Sequence, residues 1–216
     1  MLRKYFLTIS ALLFASVAAH AQEAEEKAPA PASVPAEENI LHLDLSTGGR
    51  VTIRLFPTMA PNHVERIKTL TRQGFYDGII FHRVIEGFMA QTGDPTGTGG
   101  GGSSLPDLKA EFGQFPHLRG VVSMARANSE DSANSQFFIV FYPRFALDGN
   151  YTVFGRVTSG MEYVDAIERG EPPVNPSRIL QASIAADKKP PVLPGATPAV
   201  SEKPFSVEDL NAPINP

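Results

Sequence analysis

The chain has 216 residues, of which 42% are hydrophobic and 19% charged, enough apolar material for one ordinary globular core. Its 19 basic and 23 acidic side chains give a formal net charge of −4, and no basic stripe indicates nucleic-acid binding. The absence of cysteine excludes disulfides, a cysteine-linked lipid and a catalytic thiol. Stability must therefore come from packing.

The first 21 residues follow the order of a secretory signal peptide. Two basic residues at positions 3 and 4 precede an apolar run over 5–19, and Ala19-His20-Ala21 supplies a small-x-small cleavage pattern. The apolar run is shorter than the roughly 20 residues of a spanning helix, so an uncleaved anchor is the less favoured alternative. We expect cleavage after Ala21, a periplasmic or secreted protein, and no stable membrane insertion after cleavage.

Two stretches are poor in large apolar residues. Residues 22–38 are mainly Ala, Glu, Pro and Lys, and residues 187–216 are rich in proline. Neither can bury enough apolar surface to offset the entropy of ordering the chain. The composition predicts a flexible linker over 22–38, a functional domain over 39–186 and a disordered tail over 187–216.

Hydrophobic periodicity predicts the elements of this domain. Leucines alternate with polar residues over 41–45, and a Gly-Gly turn leads to a second alternating run over 51–55, which predicts a β-hairpin. Apolar residues at three-residue spacing predict a helix between Pro61 and Gly74, and a second short helix follows over 161–168. Apolar, β-branched or aromatic runs predict further strands at 79–85, 88–92, 121–125, 136–141, 153–157 and 178–184.

The order of these elements predicts the fold class. The two helices do not alternate with the eight strands as a βαβ architecture requires, which favours an antiparallel sheet. Eight strands is a number at which a barrel closes with its interior filled by side chains. The sequence therefore predicts a mainly β fold, a closed eight-stranded antiparallel β-barrel capped by two α-helices.

Three ordered motifs of the chain resemble the signature of the cyclophilin family. They are FHRVIEGFMAQTGD at 81–94, SQFFI at 135–139 and LDGNYTVFGRV at 147–157. Three motifs of this length in the family's order and spacing are far more specific than one short pattern. The resemblance spans most of residues 40–185 and implies an eight-stranded barrel with two capping helices and peptidyl-prolyl cis-trans isomerase activity.

The resemblance also implies a substrate site on an open face of the barrel. Arg83 would be the catalytic cation, and Gln91 and Gln136 would be polar groups that orient the peptide. The residues implied to bind the peptide main chain through their backbone are Ala125, Arg126 and Ala127. The residues implied to form the proline pocket are Phe88, Met89, Phe138, Leu147 and Tyr151.

These residue types suit rotation about an X-Pro bond. The nitrogen lone pair is shared with the carbonyl, which gives a barrier of about 18–20 kcal/mol. A fixed donor near the proline nitrogen holds the lone pair there and stabilises the twisted transition state more than the planar ground state. The guanidinium of Arg83 stays charged and presents several donors in a rigid fork, while aromatic and aliphatic side chains can grip the ring.

The predicted function is therefore acceleration of X-Pro rotation during the folding of exported proteins. The expected partners are proline-containing polypeptides, and we expect a monomer with no cofactor, no metal and no nucleic acid. A non-catalytic binding module or holdase in the cell envelope stays open as the alternative. The presence of Arg83 favours the enzyme, because a binder could lose this arginine and keep its apolar pocket.

Alternation along a strand cannot separate pocket residues from core residues, so Phe88 and Phe138 could equally be core. Residue type alone would make Arg83 a surface arginine above core packing. The phenylalanines that we assign to the core are Phe81, Phe137, Phe141 and Phe154.

Three further features carry expectations. His63 and His82 lack neighbours at metal-ligand spacing, so we expect satisfied or solvent-facing histidines. The glycine-rich run 97–104 lacks the ending of a phosphate-binding loop and is expected to be a flexible loop beside the groove. Ala146 stands where many cyclophilins carry a tryptophan that contributes to cyclosporin binding, so we expect weak cyclosporin affinity.

Overall fold

The computed structural model describes residues 36–195 of the chain. The predicted signal peptide, the predicted linker up to residue 35 and the predicted tail from residue 196 lie outside the described residues. Within the described part, no helix is long and apolar enough to cross a membrane.

Eight strands and two α-helices make up the regular structure of residues 36–195. The strands are β1 Ile40–Leu45, β2 Arg50–Leu55, β3 Arg83–Ile85, β4 Met89–Thr92, β5 Val121–Met124, β6 Phe137–Val140, β7 Val153–Ser159 and β8 Ile179–Ile184. The helices are α1 Pro61–Arg72 and α2 Met161–Asp165, and short 3₁₀ turns span Ala36–Asn39, Phe145–Leu147 and Ala185–Asp187. Every predicted strand and helix is confirmed, although β3 and α2 are shorter than the sequence predicts.

The eight strands form one antiparallel sheet in the order β3-β4-β6-β5-β7-β2-β1-β8. The predicted mainly β, eight-stranded antiparallel architecture with two helices is confirmed. Closure into a barrel is not confirmed by strand pairing, because β3 and β8 are the two edges of the sheet. The segment before β3 meets the start of β8 through an isolated bridge between Ile80 and Arg178 and not through a strand pairing, and β3 begins at Arg83.

Two hydrophobic clusters lie on opposite faces of the sheet. The cluster on the inner face holds the leucines of β1 and the phenylalanines predicted for the core, which are Phe81, Phe137, Phe141 and Phe154, each at most 1% exposed. The cluster on the outer face holds Met89, Val121, Phe138, Val140 and Val153. Because successive strand residues point to opposite faces, neighbouring residues of β6 belong to different clusters. The outer cluster is the floor of the site described below.

Helix α1 covers one part of the inner core. Pro61 occupies its first turn, where a missing N–H costs no hydrogen bond, and the helix packs against β8. The side chains of Val64, Ile67 and Leu70 are buried at the spacing that the sequence predicts. Gly74 follows the helix at a φ of 70°, a conformation that glycine adopts without strain.

The chain beyond β8 lies along the strand that pairs with it. Asp44 of β1 is fully buried and accepts hydrogen bonds from Arg50 at 2.7 Å, from the amide of Val192 at 2.8 Å and from Gln181 at 3.2 Å. The domain boundary predicted at residue 186 rests on the change in composition. The hydrogen bond from Val192 to Asp44 shows that the chain stays packed against the domain beyond that residue, as far as Val192.

Candidate active site

A row of side chains crosses the outer face of the sheet. Arg83 of β3 lies opposite Gln91 of β4, Gln91 lies opposite Phe138 of β6, and Phe138 lies opposite Ser123 of β5. Opposite residues of an antiparallel pair share a face of the sheet. Strand register therefore brings together residues from separate motifs of the sequence.

A cavity of about 120 Å³ opens over this row. Met89 and Phe138 are buried beneath it, and the ring of Tyr151 meets Phe138 edge to face at 5.7 Å. The cavity is lined by Arg83, Phe88, Met89, Gln91, Ala125, Arg126, Phe138, Leu147 and Tyr151. All the residues predicted for the proline pocket thus meet in one place, with the predicted catalytic cation in the same lining.

A larger cavity of about 380 Å³ adjoins the first and shares Gln91, Ala125 and Arg126 with it. The two remaining predicted residues, Ala127 and Gln136, line this second cavity. The structure thus places the predicted residues in two adjoining cavities of one groove rather than in a single pocket.

The two predicted glutamines are hydrogen-bonded to each other, and both line the larger cavity. Gln91 Nε2 donates to Gln136 Oε1 at 2.8 Å, and Gln136 Nε2 donates to the carbonyls of Gly99 and Gly101 at 2.9 and 2.8 Å. Gln136 therefore ties the glycine-rich loop to the sheet. A chain of neutral hydrogen bonds can orient a peptide without bringing charge into the groove.

Asp94 holds the other side of the glycine-rich loop. Its buried carboxylate accepts hydrogen bonds from the backbone amides of Thr96, Thr98, Gly99 and Gly101. Burial alone would raise the pKa of Asp94, but the hydrogen bonds from Thr96, Gly101 and Gly99 lower it to about 2. The predicted position of the loop beside the groove is confirmed. The expected flexibility is not, because these amides are bound to Asp94.

Arg83 has a partner that sequence reasoning missed. Its Nε donates to Glu171 Oε2 at 2.8 Å, and the two side chains are 42% and 51% exposed. Glu171 lies on the loop between α2 and β8, far from Arg83 in the chain and outside the three motifs. No short-range pattern in the sequence could have indicated it.

The side chain of Arg126 has a structural role in addition to the predicted backbone one. It donates to the carbonyl of Asn150 at 3.2 and 3.1 Å and to that of Ala127 at 3.1 Å. Its guanidinium also lies 4.9 Å from the ring centroid of Tyr151. Arg126 therefore joins the turn after β5 to the loop that carries Leu147 and Tyr151.

The backbone of the predicted main-chain binding segment is partly occupied. The amide of Ala125 donates to the carbonyl of Gln136 at 2.9 Å, and the amide of Ala127 donates to Ser132 Oγ at 2.9 Å. The peptide groups of Arg126, between these two anchors, are the part of the segment best placed to bind a peptide.

A buried polar network lies behind the 120 Å³ cavity. His117 Nδ1 lies 2.8 Å from Asp148 Oδ1, and His117 Nε2 lies 2.9 Å from Ser123 Oγ. The imidazole also stacks on Phe138 at 6.3 Å between ring centroids. Burial would raise the pKa of Asp148, but hydrogen bonds from His117 lower it. Since Asp148 directly follows Leu147, the network connects the cavity floor to one of its walls.

The two histidines discussed above are buried rather than solvent-facing. His63 Nδ1 lies 2.7 Å from Glu111 Oε2, whereas His63 Nε2 has no hydrogen-bond partner among residues 36–195. Both ring nitrogens of His82 lack a hydrogen-bond partner in the same range. Burial lowers the pKa of both imidazoles. Neither histidine faces solvent, and the expected alternative of a satisfied ring holds for one nitrogen of His63. No three His, Asp or Glu side chains of this range form a metal-binding group.

The fold and the groove together define an eight-stranded antiparallel sheet with two adjoining cavities on its outer face, the smaller of which is lined in part by Arg83. The family described as cyclophilin type peptidyl-prolyl cis-trans isomerase/CLD matches residues 42–184 of the chain. The chain belongs to this family and is a peptidyl-prolyl cis-trans isomerase, as the sequence motifs predict.

Curated relatives carry the same activity in their names. A probable peptidyl-prolyl cis-trans isomerase of Brucella suis biovar 1 (strain 1330) is 47% identical over 174 residues, which cover 73% of this chain and 88% of the relative. Peptidyl-prolyl cis-trans isomerase B of Bacillus subtilis (strain 168) is 44% identical over 129 residues, covering 59% of this chain and 89% of the relative.

Solved structures show the same architecture. The cyclophilin AquaCyp293 from Hirschia baltica matches with a TM-score of 0.65 and 30% identity, covering 71% of this chain and 76% of its own. A cyclophilin type isomerase of Cryptosporidium parvum, crystallised in the presence of the dipeptide Ala-Pro, matches with a TM-score of 0.63 and 30% identity. That match covers 67% of this chain and 98% of its own.

Proposed function

We propose that Arg83 catalyses rotation of an X-Pro bond whose proline ring occupies the 120 Å³ cavity. The observation that carries the proposal is the shared lining, in which Arg83 stands beside Phe88, Met89 and Phe138. A pyrrolidine ring gripped by apolar walls leaves the proline nitrogen near the arginine at the edge of the cavity. The residue before proline then extends toward Gln91 and the larger cavity.

Rotation about the X-Pro bond breaks no covalent bond and requires only one well-placed hydrogen-bond donor. When the X-Pro bond twists, its nitrogen becomes pyramidal and regains its lone pair, and an N–H of Arg83 can donate to it. This hydrogen bond exists only in the twisted state, so it lowers the barrier without tightening ground-state binding. A partly apolar surrounding strengthens the bond relative to water.

The substrate class is a proline-containing polypeptide. The relative from Cryptosporidium parvum was crystallised in the presence of Ala-Pro, which supports short X-Pro segments as occupants of this kind of groove. X-Pro isomerisation takes tens of seconds uncatalysed and can limit folding.

The activity is tested with residues 22–216 and a short Ala-Pro-Phe type peptide, whose cis-to-trans exchange is followed with and without protein. We expect Arg83→Ala to reduce kcat/KM by about 100-fold or more, the usual effect of removing one transition-state donor. Arg54→Ala, which removes an exposed strand arginine outside both cavities, is the control and should leave kcat/KM unchanged. Peptide binding without acceleration by the wild-type protein would instead support a binding module or holdase.

We also propose that the protein is exported and assists the folding of exported chains. The support is the signal-peptide order of residues 1–21. When the protein is expressed in a bacterial host with residues 1–21 retained, we expect a periplasmic monomer whose first residue is Gln22. A cytoplasmic product that retains Met1 would contradict export.

Finally, we infer that the sheet closes into a barrel through the segment before β3. The supports are hydrogen bonds from the amide of Gly78 to the carbonyl of Ile179 at 2.7 Å and from the amide of Phe81 to that of Ser177 at 2.8 Å. Amide hydrogen exchange at Gly78 and Phe81 should be as slow as in β1 and β2. Exchange at the rate of an exposed loop would contradict closure.

A further inference from the structure

The backbone places Glu171 beside Arg83. The amide of Val84 donates to the carbonyl of Gly170 at 2.8 Å, and the amide of Gly170 donates to the carbonyl of Val84 at 2.9 Å. This reciprocal pair is an isolated antiparallel bridge. In antiparallel register the residue before Val84 lies next to the residue after Gly170, so Arg83 and Glu171 are neighbours before their side chains are considered.

The turn that carries Glu171 is tightly constrained. Gly170 has a φ of 146°, and a Cβ atom there would lie 2.5 Å from Pro173 Cα, so only glycine fits. Two prolines, Pro172 and Pro173, follow Glu171 and fix their own φ angles. The carboxylate therefore projects from a stiff turn, which reduces the entropy lost in holding an arginine.

The contact occupies one edge of the guanidinium. Glu171 Oε2 accepts from Arg83 Nε at 2.8 Å, the short distance of a charge-assisted hydrogen bond. Among residues 36–195 the N–H groups on Nη1 and Nη2 have no hydrogen-bond partner, which leaves them for a substrate. Because both side chains are about half exposed, the pair adds little to stability. Its consequence is the orientation of Arg83.

We propose that Glu171 is a positioning residue that holds Arg83 by Nε and directs its Nη groups over the proline cavity. This inference rests on the proposed catalytic role of Arg83. A positioned arginine loses less freedom when the transition state forms, so Glu171 acts on kcat and hardly on KM.

The kinetic test compares Glu171→Ala with Glu38→Ala. Glu38 makes a similar exposed pair with Arg72 at 3.0 Å, and neither of these two residues lines a cavity of the groove. Glu171→Ala should lower kcat by about two- to five-fold, the range of an exposed ion pair, with KM nearly constant. Glu171→Gln, which keeps an acceptor oxygen, should recover part of the loss. Glu38→Ala should leave both constants unchanged.

A double-mutant cycle separates positioning from a general effect of charge. In an Arg83→Ala background, Glu171→Ala should cause no further loss, because its effect passes through the missing guanidinium. Equal fractional losses in both backgrounds, or wild-type kinetics for Glu171→Ala, would overturn the inference.

The NMR signal of the Arg83 Nε–H group gives a readout that does not need activity. In the wild-type protein this proton should exchange slowly with water, and Glu171→Ala should make exchange faster while Glu38→Ala does not. An unchanged signal in Glu171→Ala would overturn the inference. A wild-type protein without isomerase activity would contradict the proposed function instead, and the Nε–H signal would still decide whether Glu171 holds Arg83.

Discussion

At the scale of single residues, the two arginines that line the 120 Å³ cavity differ in which of their N–H groups are hydrogen-bonded. Arg126 uses its Nε, Nη1 and Nη2 groups on backbone carbonyls of its own turn and of Asn150. Arg83 uses Nε on Glu171 and keeps its Nη groups. The arginine with donors to spare is the better candidate for catalysis, and Arg126 serves as a clamp between two loops.

The buried carboxylate of Asp94 gives a prediction about pH. Its folded-state pKa of about 2 lies below the value of about 3.9 for an unfolded chain, so it stabilises the fold above pH 4 and this contribution is lost as the pH falls toward 2. Asp94→Asn should lower the free energy of unfolding by about 2 kcal/mol at pH 6. Urea unfolding of both proteins between pH 6 and pH 2.5 checks this. The difference should shrink below pH 4, and a constant difference would contradict the assignment.

The network behind Phe138 gives a prediction about buried polar groups. His117→Phe keeps much of the ring volume but leaves the buried hydroxyl of Ser123 without its partner, which should cost about 2–3 kcal/mol of unfolding free energy. Adding Ser123→Ala removes the orphaned hydroxyl and should recover part of that loss. Urea denaturation of the single and double variants measures both values. If the His117→Phe variant and the double variant have equal free energies of unfolding, the Ser123 hydroxyl does not need His117 as a hydrogen-bond partner.

At the scale of elements, strand β6 serves the core with one face and the site with the other. Phe137 packs edge to face against Tyr76 and Phe154 on the inner face, at 5.5 and 5.9 Å. Phe138 meets His117 and the cavity on the outer face. All four residues of the strand are buried, so the sequence shows no alternation that could separate these two roles.

Matched substitutions in β6 should separate core from site. Phe137→Leu should lower the free energy of unfolding by about 1–2 kcal/mol and leave KM unchanged, because only inner packing is lost. Phe138→Leu should raise KM for an X-Pro peptide with a smaller loss of stability, because one face of its ring lines the cavity. Chemical denaturation and peptide kinetics of both variants test this. A raised KM in Phe137→Leu, or an unchanged KM with the larger loss of stability in Phe138→Leu, would contradict the assignment of the two faces of β6.

The two loops that border the groove are anchored by single residues. Asp94 gathers the amides of the glycine-rich loop, and Gly170 pairs with Val84 to fix the loop that bears Glu171. The amides of the glycine-rich loop are therefore bound by the side chain that follows β4, and the loop that bears Glu171 is bound by the backbone of β3. Rigid support of this kind is what a transition-state donor needs.

At the scale of the whole molecule, the described chain does not end at β8. Arg50 donates to the carbonyl of Lys189 at 3.3 Å, Gln181 donates to that of Pro190 at 2.9 Å, and Asp44 accepts from Val192. The first residues of the predicted tail thus lie against β1 and β8, away from the residues that line the groove.

Removal of residues 188–216 should therefore lower stability but not activity. Three hydrogen bonds to the sheet are lost, which should reduce the free energy of unfolding by about 1–2 kcal/mol. Thermal unfolding and peptide kinetics of the shortened and full chains make the comparison. A chain ending at Gly195 is the control and should match the full chain. Unchanged stability of the shorter chain would show that these contacts contribute nothing.

The sequence by itself determined the elements, the family and the identity of the groove residues. Alternation and helical spacing report which side chains are buried, and two of the three motifs carry Arg83, Gln91 and Phe138 at fixed positions along β3, β4 and β6. Arg83, Gln91 and Phe138 could therefore be assigned before the register that aligns them was known.

Only the tertiary structure decided what surrounds those residues. Glu171 reaches Arg83 across a bridge between distant segments. Asp148 contacts His117, 31 residues away in the chain, through their side chains. The burial of His82, which is 5% exposed, is likewise visible only in the folded chain. Such contacts depend on which distant segments the fold brings together, and the periodicity of a short stretch of sequence does not specify them.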